Sequence, residues 1–281
     1  MNICIIGLGL IGGSLAIDLR SRGFASHIVG VENNRQHAAI AELSGMVDET
    51  LDLDSAVGRS DLIILATPVD VIIKILPGVL DRIGGTSKVV TDMGSTKGSI
   101  GKLVDNHPNR QHYVASHPMA GTEHSGPLAA FSKLFDHKCA IICDSEKSAA
   151  DALEVVENMY AALNMELIRM DSREHDISAA YVSHISHISS FALSLCVLEK
   201  EQNEKRLLNL AGGGFTSTVR LAKSSAEMWS PVFNQNEENV LEVIDTYIEK
   251  LQQFKNCIAN KDTAGVSKLI VKANEIGKII S

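Results

Sequence analysis

Short, nearly unbroken apolar runs alternate with stretches of mixed polarity through the first 170 residues. "NICII" (2–6) breaks at a cluster of glycines and continues as an amphipathic stretch to Gly23, which predicts strand, turn and helix. "HIVGVENN" predicts a second strand. "DLIILATPVDVIIKILPGVL" and "SKVVTDMGSTKGSIGKLV" repeat the strand–turn–helix pattern, and "HYVASHP" is the next strand. "KCAIIC" and "MELIRM" read as further strands, with a helix over 147–162 between them. Apolar strands separated by helices predict an α/β domain built on a doubly wound parallel sheet, ending near residue 170.

From Asp171 the period changes. Ile177, Ala180, Tyr181, His184, Ile188, Phe191 and Leu195 recur at steps of three or four in a stretch without Gly or Pro. Asp171 or Ser172 is placed to cap its start. A glycine break, "AGGGF", leads into a short helix, and two helices over about 231–257 and 262–280 follow. The expected division is therefore 1–170, nucleotide-binding, and 171–281, helical. No flexible linker separates the halves, so a cleft between packed domains is expected. A long apolar helix in a small helical domain also suits association with a second copy through that domain.

The glycines at the first turn carry chemistry. Gly7, Gly9 and Gly12 fit G-x-G-x-x-G where a strand becomes a helix, and Glu32 lies twenty residues past Gly12 at the end of the second strand. This is the Rossmann-type fingerprint. The first glycine makes the turn, the second admits a pyrophosphate, the third lets helix and strand approach, and the helix start holds phosphate. An acid at position 32 suits ribose hydroxyls and repels a 2′-phosphate, so NAD is the expected cofactor. Leu10 and Ile11 within the turn, and Thr67 and Pro68 at another strand end, are candidate cofactor contacts, because ligands bind past the carboxyl ends of the strands.

Composition narrows the partners. The net charge is −8 without a Lys/Arg cluster, which argues against nucleic acid and anionic membrane. The N-terminal apolar run lacks a basic start and is interrupted by glycine, unlike a signal peptide. No uninterrupted run reaches the ~18 apolar residues of a membrane span. Cys4, Cys139, Cys143, Cys196 and Cys257 are scattered. On a strand Cys139 and Cys143 share a face but lie roughly 13 Å apart, beyond a disulfide or a shared metal. Free thiols fit the cytoplasm.

The strand "YVAS" runs straight into "HPMAGTEHSG". Pro118 biases His117 toward an extended backbone, which helps aim an imidazole, and histidine is the commonest general base. His184 and His187 lie three apart, about 60° around a helix, so both can face a cleft; for each, a hydrogen-bonded core histidine is the competing reading. With His117 they lack the carboxylate or cysteine that would complete a zinc site, so no metal is expected. Arg220, just past the glycine break, suits bidentate recognition of a carboxylate, against the alternative of a solvated surface arginine.

"GLGLIGGSLA", "TDMGSTKG", "SHPMAGTEHSG", "HDISAAYVSHISH" and "GGGFTSTVRLAKSSAEMW" together resemble the prephenate/arogenate dehydrogenases of tyrosine biosynthesis, over residues 3 to about 255. The resemblance implies NAD-dependent oxidative decarboxylation of prephenate to 4-hydroxyphenylpyruvate, or of arogenate by the same chemistry. It implies that His117 accepts a hydrogen bond from the substrate hydroxyl and that Ser95 helps align hydroxyl, imidazole and nicotinamide. It implies that Arg220 binds a substrate carboxylate, that Glu123, with neighbouring Thr122, lies at the mouth of the site, and that the helical domains form a homodimer. The chain departs from the family where "HISH" (184–187) replaces His-Leu-Pro-His, and where "GFTS" (214–217) replaces a segment bearing a cation. No segment resembling a regulatory amino-acid-binding domain is present, so any tyrosine inhibition is expected near the active site. A β-hydroxyacid dehydrogenase would need a lysine on the first helix of the second half, where none precedes Lys200. A non-catalytic NAD sensor would have no use for His117 and Arg220.

Overall fold

The computed structural model describes residues 1–204 and 208–279, with the side chains of 202–204 left aside. Eight strands form one sheet: β1 (Asn2–Ile6), β2 (His27–Val31), β3 (Glu49–Thr50), β4 (Leu62–Leu65), β5 (Val89–Asp92), β6 (Tyr113–Pro118), β7 (Cys139–Cys143) and β8 (Glu166–Met170). Their order is β3-β2-β1-β4-β5-β6-β7-β8. The strand order reverses at β1, which pairs with both β2 and β4, and this switch point is where an open α/β sheet offers a crevice.

Helices α1 (Leu10–Ser21) and α6 (Ala150–Ala162) cover one face; α3 (Leu53–Arg59), α4 (Val69–Arg82) and α5 (Gly98–Val104) cover the other; α2 (Arg35–Leu43) follows β2. The period-2 alternation of strand side chains makes the two cores. Ile3, Ile5, Ile28 and Ile64 pack with Leu15, Leu19, Val156 and Tyr160. Cys4, Ile6, Val29 and Ile63 pack with Ile72, Leu76, Val79 and Ile100. Full burial of each large aliphatic side chain contributes about 1.5–3 kcal/mol, so a strand buried on both faces is held strongly in register.

The sheet departs from the expected all-parallel form at one point. β7 runs antiparallel to β6, with His117 opposite Ile141 and Pro118 opposite Ala140, while β7 and β8 are parallel to each other. The segment between β6 and β7 holds only a short 3-10 turn, Pro127–Ala129. Without a crossover helix, an antiparallel return is the available connection. The edge strand β3, two polar residues long, has no apolar pattern to announce it.

Beyond β8 come α7 (Ser172–Ala179), α8 (Ile185–Glu204), α9 (Gly213–Thr218), α10 (Ala226–Gln235), α11 (Glu237–Ala259) and α12 (Thr263–Ala273). The expected first helix of this half is α7 and α8 joined through a π turn, Ala180–His184. Its start is fixed twice. Asp171 accepts from the Glu174 N–H at 2.8 Å, and the Ser172 N–H and hydroxyl both donate to Asp144, at 2.8 and 2.6 Å. The expected last helix ends earlier, in a 3-10 turn over Asn274–Lys278; residue 280 lies outside the described residues. By length and composition alone the stretch Ser172–Glu201 could cross a membrane, which a search for an uninterrupted apolar run overlooks. Three of its polar side chains, His175, Asp176 and His184, are instead buried in the protein.

Contacts divide the chain into two compact units, Met1–Asn236 and Glu237–Ser281. Every residue of the candidate site belongs to the first.

Candidate active site

The cofactor crevice is built by the β1–α1 turn. Gly7 adopts φ +93°, and a side chain there would strike Ala66 O and the Thr67 methyl at 2.8 Å. A Cβ on Gly12 would lie 1.9 Å from Gly7 O, so α1 can start there only on glycine. Gly9 faces open space, with nothing within 4 Å of a Cβ position. Leu10 and Ile11 open α1 beside it. Glu32 closes the crevice: its carboxylate accepts from the Leu8 N–H at 3.0 Å and from the Asn34 N–H at 2.9 Å. Thr67 keeps a buried hydroxyl without a partner among the described residues, and Pro68 precedes α4. A bare glycine over an open crevice, a carboxylate fixed at its far side and an unpartnered hydroxyl fit a dinucleotide, with the diphosphate at the α1 start and a ribose at Glu32.

The candidate base stands at the end of β6. His117 is 9% exposed and His175 fully buried. His117 Nδ1 lies 2.8 Å from His175 Nε2, and His175 Nδ1 lies 2.8 Å from Asp176 Oδ1. The Lys97 and Gly98 N–H groups donate to the two oxygens of Asp176, each at 2.8 Å. These partners assign the tautomers. The carboxylate can only accept, so His175 donates from Nδ1 and accepts at Nε2. His117 then donates from Nδ1, which leaves its Nε2 lone pair unused among the described residues. Burial, followed by neighbouring His175 and Lys97, pushes His117 well below the usual imidazole range. At neutral pH it is a neutral base with its free nitrogen at the strand end.

Below His117 a buried polar network fixes the β5 and β6 ends. Asp92 accepts from the Tyr113 hydroxyl at 2.6 Å and from the Gly94 N–H at 2.9 Å, and pairs with Lys97, both fully buried. Breaking a buried pair strands a charge, which is strongly destabilising. The network therefore pins the turn that follows β5 and carries half-buried Ser95.

The helical side supplies the remaining groups. His187 donates from Nδ1 to Ser183 O at 3.2 Å and stacks on Trp229 at 3.6 Å. Burial depresses its pKa, and Arg220 lowers it further. His184 is placed differently from the cleft position expected of it. It is 1% exposed, packs edge-on to Trp229 and Phe233, and meets the Asn236 amide at 3.2 Å. It supports the wall instead of lining it, because the π turn changes the angular step between His184 and the residues before it. Arg220, half-exposed at the start of a 3-10 turn, donates to Glu123 at 2.8 Å. Glu123 is held below the usual carboxylate range by its own backbone and by Arg220. Thr122 and Glu123 line an open groove with His124, Phe131 and Lys223.

His175, Asp176, Asp92 and Lys97 escaped the sequence reading as site residues. For the first two the signal was an adjacent His-Asp on a largely apolar helix; for the others, two opposite charges inside an apolar strand–turn. Among the described residues no group of three His, Cys, Asp or Glu side chains is placed to hold a metal.

Comparison with known proteins decides the family. The nucleotide-binding domain of prephenate dehydrogenase matches residues 15–169, and its dimerization domain matches residues 171–272. The chain belongs to the prephenate dehydrogenase family. Prephenate dehydrogenase of Bacillus subtilis is 28% identical over 276 residues, covering 98% of this chain and 74% of that one. Prephenate dehydrogenase from A. aeolicus, solved with hydroxyphenyl propionate and NAD+, is 26% identical with a TM-score of 0.86, covering 100% of this chain and 98% of that one. Arogenate dehydrogenase from Synechocystis is 27% identical with a TM-score of 0.79 over the full length of both chains. As a member of this family the protein is an NAD-dependent oxidoreductase, with NAD as its cofactor.

Proposed function

We propose that the protein oxidises and decarboxylates prephenate to 4-hydroxyphenylpyruvate, with His117 as the base. The observation that carries this reading is the His117–His175–Asp176 chain, which leaves one imidazole nitrogen free beside the NAD crevice. Bound NAD supplies the hydride acceptor. His117 Nε2 accepts the C4 hydroxyl proton as hydride leaves C4. The positive charge that develops on His117 is stabilised through His175 by the Asp176 carboxylate. Loss of CO₂ from C1 releases the electron pair that makes the ring aromatic, and His117 returns its proton to the phenolate oxygen. Ser95 helps align the hydroxyl. Arg220 exchanges Glu123 for a substrate carboxylate, and Thr122 and His187 line the approach.

The nucleotide-binding half is taken as residues 1–170 and the helical half as 171–281, which the ranges of the two matched domains support. The assembly is a cytoplasmic homodimer through the helical half, a reading supported by the matched dimerization domain.

Absorbance at 340 nm with NAD tests the reaction, with prephenate and arogenate run in parallel. A rise with prephenate is expected. A rise with arogenate alone would move the specificity; no rise with either, despite NAD binding, would overturn the substrate assignment. His117→Asn is expected to lower kcat by about 10²–10⁴ while retaining NAD affinity.

A further inference from the structure

The Asp176 carboxylate is held from outside its own helix. Both of its backbone donors, the Lys97 and Gly98 N–H groups, come from the turn that opens α5, 78 or more residues away in sequence. The Lys97 side chain is committed to Asp92, so the turn is itself anchored to the sheet. Gly98 has a second relation to the same carboxylate. A Cβ built on it would lie 2.9 Å from Asp176 Oδ2 and 3.9 Å from its Cγ, and would meet no other atom within 4 Å beyond its own helix backbone and chain neighbours. Its φ is not among the positive values that call for glycine, which Gly7, Gly23, Gly45, Gly85 and Gly126 show. Gly101, one turn along, would place a Cβ at an ordinary 3.5 Å from Asp144 and Ser172. The backbone at position 98 does not require glycine; the carboxylate does.

We infer that Gly98 is a positioning residue for the His117–His175–Asp176 chain: its N–H and its missing side chain together seat Asp176 against His175. The inference rests on the reading of His117 as the base. A methyl group at position 98 has one neighbour to displace, a carboxylate clamped by two N–H groups and an imidazole. Displacement takes the carboxylate off the N–H donors and off His175 Nδ1. His175 is then free to turn its proton to Nε2, where it opposes the proton of His117 Nδ1, and the free nitrogen of His117 is no longer fixed.

The test is Gly98→Ala, alone and combined with Asp176→Ala. In the otherwise unchanged enzyme, Gly98→Ala is expected to lower kcat on the order of tenfold to a hundredfold, the scale of a misplaced reacting group, with KM for substrate and NAD affinity within about twofold. In the Asp176→Ala background the same change is expected to cost nothing further, because the atom it strikes is gone. An unchanged kcat in the single variant, or an equal loss in both backgrounds, overturns the inference. If Gly98→Ala alone does not fold, folding of the double variant as well as Asp176→Ala supports it, and failure of the double variant overturns it. A readout independent of turnover separates this inference from the reaction assignment. The His175 Nδ1 proton, donated to a buried carboxylate, is followed by ¹H NMR in the enzyme without substrate. Gly98→Ala is expected to shift or abolish that resonance even if neither prephenate nor arogenate is a substrate; a resonance left in place overturns the inference.

Discussion

In the proposed reaction His117 acts through the proton it does not give up. Its Nδ1–H is committed to His175, so the lone pair at Nε2 is the acceptor, and burial keeps it empty at neutral pH. His175, in contact with it, and the charges of Lys97 and His184 add to the effect of burial. Protonation of His117 removes the base, and its depressed pKa puts that event below the unperturbed 6.5. The pH profile of kcat/KM is therefore expected to stay flat through neutrality and to fall only on the acid side of about 6.5. A limb centred above that value would contradict the neutral assignment. Arg220 is argued separately. It is exposed and already paired with Glu123, so its value lies in exchange of one carboxylate for another. Arg220→Gln is expected to raise the KM for prephenate by roughly 10- to 30-fold, about 1.5–2 kcal/mol of a charged hydrogen bond, with NAD affinity unchanged. His117 and Arg220 stand out in the sequence as candidates because each follows a break in pattern, after a strand and after a glycine run. Asp176 does not. Its backbone donors lie 78 or more residues upstream, and nothing in a helical period reports a contact of that range.

The helix from Ser172 shows how far an element can be read from its period. Its existence followed from spacing and its start from a capping residue at Asp171 or Ser172, of which Asp171 is the cap, whereas the π turn at Ala180–His184 did not follow, because one widened turn leaves a three-or-four repeat nearly unchanged. That turn has a consequence for His184, which sits among Trp229, Phe233 and Asn236 with its pKa lowered by burial to about 4. Between about 4 and 6.5 the unfolded chain binds a proton that the folded one refuses. The stability linked to this residue is thus full above about pH 6.5 and declines as pH falls toward 4, by roughly 3 kcal/mol once both states are charged. His184→Gln keeps a partner for Asn236 and removes the titration. Urea unfolding at pH 7 and pH 4.5 is expected to show a shallower loss for this variant than for the parent; equal slopes would place the acid sensitivity elsewhere.

At the scale of the molecule, α8 presents Leu195 and Leu198 to solvent, 67% and 50% exposed, and the π turn adds Val182 at 67%. Large apolar side chains left exposed on this helix fit the dimer proposed above. Sedimentation of the parent is expected to give a dimer, and Leu195→Glu with Leu198→Glu is expected to give a species of half the mass; a monomeric parent would remove the proposal. A doubly wound sheet of buried strands could be anticipated from strand composition, but the reversal at β7 could not, because strand direction leaves no mark on apolar content. That reversal decides where the second half of the chain begins. β8 runs opposite to β1–β6, so the chain leaves the sheet at the edge away from the cofactor. Ser172 meets the Asp144 end of β7 there, near Gly101, and one turn later Asp176 reaches Gly98. The helix therefore climbs alongside α5, against its direction, toward the end of the sheet that carries Gly98 and His117. His175 and Asp176 are delivered on this upward path, in its first two turns. A parallel β7 would have started the same helix at the other end of the strands and sent His175 and Asp176 away from His117.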